Sequence, residues 1–184
     1  SMPARSMEQL MGSLEPLFDD LDEIGRTAVA KYRRYPAEFL IDHDNRAAAA
    51  NIYSHMAMEA DRRLLGRPGI SQLDVRGLKI WLIGDEIVLR FKKMNSGGTY
   101  RRYPTQQARD FDAQGDLPGV PVPATRLAVG YLLNSTGTDV RRIQIARPIS
   151  RGRISWCAAI VPAAEHQAGQ LRWYEVTGQQ QLTA

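Results

Sequence analysis

With 184 residues, 43% of them apolar and 24% charged, the chain has the size and make-up of one globular domain spanning 1–184. A single cysteine excludes an internal disulfide, and no run approaches the roughly 20 apolar residues that a membrane-spanning helix needs. No secretory leader is expected either, so the cytoplasm is the expected compartment and a membrane partner is not. Net charge is +4, unevenly spread: residues 1–67 hold 9 Lys/Arg against 11 Asp/Glu, and residues 68–184 hold 15 against 9. A basic second part suits nucleic acid or an acidic partner, and it equally suits a solvated surface.

Taken in chain order, Leu10, Leu14, Leu17, Phe18, Leu21, Ala28, Val29 and Tyr32 recur at three- and four-residue steps. That spacing predicts a helix over about 13–33, capped by Ser13 with Pro16 in its first turn, and ended by Tyr35-Pro36. A second helix is predicted over 45–65 on the stripe Ala49, Ile52, Tyr53, Met56, Ala60 and Leu64, stopped by Gly66, Pro68 and Gly69. The apolar period then drops to two. Strands are predicted at 78–83, at 87–92 and, after the turn Asn95-Ser96-Gly97-Gly98, at 99–103. A short helix over 105–113 and a Pro/Gly loop over 114–124 precede strands at 127–133, 140–146 and 154–161, with an edge strand at 171–176. The expected fold is α+β: an N-terminal helical hairpin on a mainly antiparallel meander of about six strands, with flexible ends at 1–12 and 177–184. The apolar stripe of the first helix is long enough to suggest a protein contact, a partner chain or a homodimer.

Chemistry-bearing patterns are few. Lys92 and Lys93 face Tyr100, Arg101, Arg102 and Tyr103 across the Asn-Ser-Gly-Gly turn, a mixture of cations and aromatics able to grip phosphates and stack on bases. Arg141 and Arg142 stand on the later hairpin and would extend that surface if the two hairpins meet. The alternative is that these cations solubilise exposed strand faces. A metal-dependent nuclease core needs an acid two residues before its lysine, but Arg90 stands there before Lys92. Asn51, His55 and Glu59 share a helix face without a repeated ligand spacing, and the Asp/Asn cluster at 42–45 reads as helix capping. Arg46 and His55 are too far apart for the Arg/His spacing of helical ribonuclease toxins. Cys157 sits in an apolar strand and reads as a core thiol. No glycine fingerprint for a nucleotide is present. No catalytic residue, metal ligand or cofactor is therefore assigned.

Asp42–Ala49, Glu59–Arg63, Leu65–Gly69, Arg90–Met94 and Trp156–Pro162 together resemble a family of uncharacterised bacterial proteins of similar length. Members are often encoded beside a helix-turn-helix regulator fused to an ImmA/IrrE-type metallopeptidase. The resemblance implies a non-enzymatic interaction or regulatory component of a regulatory, toxin–antitoxin or phage-defence cassette. Nucleic-acid binding through the basic hairpins is the alternative, and a nuclease-type toxin a further one.

Overall fold

The computed structural model describes residues 4–101, 105–150 and 152–176. The chain enters helix α1 (Met7–Leu14) earlier than its apolar spacing predicted, because Ser6 and Gln9 form a capping box: each side chain accepts a hydrogen bond from the other's backbone N–H. Met7–Gly12 is thus helical rather than part of a flexible end. Ser13 is no cap; its hydroxyl donates to Glu86 Oε1 at 2.7 Å. Pro16 lies in a short 3-10 turn, Glu15–Leu17, that joins α1 to α2 (Phe18–Arg33). Leu10, Leu14, Leu17, Phe18, Leu21 and Ile24 are all buried within this one chain, so the stripe itself supplies no reason for a homodimer. Burying such side chains is worth about 1.5–3 kcal/mol each.

A short helix that the spacing did not reveal, α3 (Ala37–Asp42), leads to α4 (Asn45–Leu64), whose N-cap Asp44 accepts from Ala47 N–H at 2.8 Å. Helices α2 and α4 form the expected hairpin. Glu59, 1% exposed, sits at their junction and accepts hydrogen bonds from Lys31, Arg62 and Arg63. Burial alone would raise its pKa; the three cations outweigh that and hold it near 2.

Seven strands form one sheet in chain order: β1 (Ile70–Val75), β2 (Leu78–Ile83), β3 (Ile87–Lys93), β4 (Thr125–Leu133), β5 (Val140–Ser150), β6 (Arg153–Ile160) and β7 (Trp173–Glu175). All neighbours are antiparallel except β3 and β4, which run parallel, so the sheet departs from a pure meander. Parallel neighbours need a crossover, supplied by residues 94–124 with α5 (Gln106–Asp112). The strand predicted at 99–103 belongs to that crossover: Thr99–Arg101 is irregular, and Arg102 and Tyr103 lie outside the described residues, as do 177–184.

Helices α1, α2 and α4 cover one face of the sheet, over Trp81, Leu89, Phe91, Leu127, Val129 and Tyr131. The crossover covers the other, where Phe111 and Leu117 pack on Ile80 and Val88. Gly98 makes that second cover possible. Its φ is +90°, and a Cβ there would stand 2.8 Å from Cys157 Sγ. No helix among the described residues is long and apolar enough to cross a membrane.

Candidate anion-binding cleft

The sheet is split between β2 and β3. β1 pairs with β2 over its whole length and β3 with β4 over its whole length, yet β2 and β3 pair only from Ile83–Ile87 to Trp81–Leu89. Beyond that point the β1–β2 hairpin, turned tightly at Arg76 (φ 52°) and Gly77 (φ 93°), no longer pairs with β3. Two positive φ values in a two-residue loop make the hairpin turn that suits strongly twisted strands, and a two-stranded ribbon twists more than a wide sheet. Gln107 on α5 donates to Arg76 C=O at 2.8 Å and holds the departing tip. Backbone direction alternates along a strand. Glu86 C=O and Met94 N–H both bond on the β4 side, so the N–H and C=O groups of Phe91 and Lys93 face the split.

A cleft of about 840 Å³ fills this opening. Its walls are α4 (Asn45, Arg46, Ala49, Tyr53, Met56), the hairpin tip (Arg76–Lys79), the end of β3 (Arg90–Lys93) and the crossover (Thr99–Arg101, Thr105, Gln107, Ala108). Arg46, Arg76, Lys79, Arg90, Lys92, Lys93 and Arg101 line it, and no described lining residue is an Asp or Glu. One of these cations is neutralised from behind. Arg90, buried beside Tyr100 and Phe111, lies 3.6 Å from the Asp112 carboxylate, which also accepts the Tyr100 hydroxyl at 2.6 Å. Lys92 Nζ stands 5.6 Å from the Tyr100 ring centroid. Burial and the Arg90 guanidinium, and least of all Arg101, push the Lys92 pKa down to about 8 against the opposing pull of Asp112. Among the described residues, Arg46, Arg76, Lys79, Lys93 and Arg101 make no ion pair with a carboxylate.

The structure brings Lys92, Lys93, Tyr100 and Arg101 together in the cleft, as their placement around one turn suggested. Arg141 is exposed on β5 and does not line it. Arg142 is buried, with Nε donating to Gln144 Oε1 at 2.6 Å and Nη2 to Ser96 C=O at 3.0 Å; with Gln144, which donates to Asn95 C=O, it holds the 95–98 turn. The two hairpins therefore do not merge into one basic surface. Tyr100 is engaged by Asp112 and two cations, and Tyr53 on α4 is a half-buried aromatic of the opposite wall. Arg46, Tyr53, Arg76, Lys79 and Arg90 were missed as site residues. Their only sequence signal was Arg76-Gly77, a turn between two apolar runs that would have placed Lys79 near the mouth.

Asn51, His55 and Glu59 do not converge. Asn51 donates to Ala47 C=O, His55 Nε2 is 2.7 Å from the Tyr35 hydroxyl, and Glu59 is held by its three cations. A second tyrosine–histidine pair, Tyr32 with His43 at 2.8 Å, fixes the approach to α4. Among the described residues no cluster of His, Cys, Asp and Glu suits a metal. Burial pushes the Cys157 thiol up to about 12.

Comparisons with protein-family models, with curated proteins and with solved structures found no match to this chain.

Proposed function

We propose that the protein binds single-stranded nucleic acid, with its sugar–phosphate backbone seated in the split between β2 and β3. The observation that carries this reading is a slot lined by seven cations and no described carboxylate. Five of them, Arg46, Arg76, Lys79, Lys93 and Arg101, make no ion pair with a carboxylate among the described residues; cations gathered in this way repel one another, an arrangement stabilised by a polyanion that releases its own counterions on binding. The volume lies within the roughly 300–1,000 Å³ of small-ligand sites, a space that a short stretch of strand would fill. Tyr53 places an aromatic side chain on the α4 wall, and the backbone N–H groups of Phe91 and Lys93 offer donors to phosphate or base edges.

Fluorescence anisotropy with labelled oligonucleotides tests this. Arg46, Lys79 and Arg101 are exposed, so replacing all three with Gln should leave the fold intact. The triple variant should bind more weakly for unrelated sequences alike, since phosphate contacts carry no base identity. The slope of log affinity against log salt should shrink by about 2, at about 0.7 per lost single-strand contact. Unchanged affinity and slope would refute the reading.

A protein contact, as the family resemblance implies, is the second reading. One observation favours it: α3 buries none of its residues and leaves Phe39 53% and Ile41 82% exposed.

A further inference from the structure

We propose that an extended segment of a partner protein, with acidic residues alternating with apolar ones, pairs as a strand with the open edge of β3 and so shuts the cleft to nucleic acid. The competition rests on the nucleic-acid reading of the cleft; the strand pairing stands on backbone geometry and charge.

A ladder that stops partway leaves donors and acceptors without strand partners. The β2–β3 ladder stops at Trp81–Leu89, and the next residues of β3 that face β2 are Phe91 and Lys93. On β2 the same alternation turns Lys79 N–H and C=O toward the opening. Phosphate oxygens accept from the N–H groups of this edge and donate nothing to its C=O groups. A peptide strand presents both an N–H and a C=O at every second residue along one edge, and so answers both kinds of group on Phe91 and Lys93. An unpaired strand edge is a template for a strand from another chain.

The side chains around the opening set the sequence that fits it. Trp81 and Phe91 pack on the helix side of the sheet, so Lys79 and Lys93, two residues along each strand, lie on that side with Arg46 of α4. These three cations make no ion pair with a carboxylate among the described residues. Leu78 and Ala108 line the crossover side, where Leu78 packs on the cluster around Phe111, and Arg101 is exposed at the rim. A strand laid along β3 therefore points every second side chain at cations and the others at apolar groups. Acidic residues in alternation with apolar, preferably β-branched, ones match that surface. No described lining residue is an Asp or Glu, so carboxylates on the segment meet no like charge. The segment and the nucleic-acid strand call on the same cations and the same cleft of about 840 Å³, which makes them rivals.

The experiment uses the full wild-type chain and two labelled peptides: Glu-Val-Glu-Val-Glu with blocked ends, and the same peptide N-methylated at its central amides. Both carry the same charge, but the methyl groups remove the donors and hold the two edges apart. Fluorescence anisotropy should show the parent peptide binding about tenfold or more tightly than the methylated one, the loss expected when hydrogen bonds to the strand edge cannot form. The parent peptide should slow amide exchange at Phe91 and Lys93, and its addition should displace a bound single-stranded oligonucleotide. Equal affinity for the two peptides would mean attraction by charge alone and overturns the proposal. So does a parent peptide that fails to bind, or that binds without slowing exchange at Phe91 and Lys93. Peptide and oligonucleotide bound together would overturn the competition. Pairing by the parent peptide, with no affinity for any oligonucleotide, would support the strand and remove the nucleic-acid reading alone.

Discussion

Glu59→Gln should destabilise the protein in a way that depends on pH. The carboxylate is buried between α2 and α4, and Lys31, Arg62 and Arg63 donate to it. Its pKa falls from an ordinary 4.5 to about 2, a difference worth about 3 kcal/mol if all of it reflects folded-state interactions. Lys31 and Arg62 are 40% and 65% exposed, so solvent screens part of this, and about 2 kcal/mol is the expected loss on neutralisation. The sign follows from a folded pKa below the unfolded one: the contribution is complete above about pH 5 and fades as pH falls toward 2. Urea unfolding of wild type and Glu59→Gln at a series of pH values measures it. The gap between the two should be widest near neutrality and close on acidification. A gap that is absent at pH 7, or equally large at pH 3, would refute the assignment of Glu59 as the charged centre of the hairpin.

Two further substitutions probe the crossover side of the sheet. Gly98→Ala meets Cys157 and Ala146 at a positive φ, so a loss of about 3 kcal/mol is expected in the same unfolding assay. Arg126 is 3% exposed; Nη1 donates to Ala124 C=O, while Nε and Nη2 have no hydrogen-bond partner. Arg126→Met should therefore leave stability unchanged or raise it by about 1 kcal/mol, and a loss above about 2 kcal/mol would mean that the guanidinium is satisfied in solution.

The helical hairpin, α5 and strands β2 to β7 were legible in the local sequence. What escaped depended on contacts or on weak spacing. Ile70 stands three residues before Leu73, so β1 carries only the single period-two step Leu73–Val75 and is defined by pairing with β2. The parallel β3–β4 neighbours are set by where the crossover returns, which no local pattern records. The cleft divides in the same way. Lys92, Lys93, Tyr100 and Arg101 surround one turn and were visible as a group, whereas Arg46 and Lys79 reach them only through the packing of α4 and the departure of β2. Arg142 was read as part of a basic hairpin surface, and nothing local marked Arg90 as buried. Both are buried because the second face of this sheet is covered by the crossover, a property of topology and not of pattern.

Amide hydrogen exchange with and without a single-stranded oligonucleotide tests the central claim most directly, because the split leaves strand backbone facing the ligand. Binding in the cleft predicts slower exchange at Lys79, Phe91 and Lys93, and no change at Val140–Ile143. Protection centred on Arg141 in β5, or no protection at the ends of β2 and β3, would contradict it.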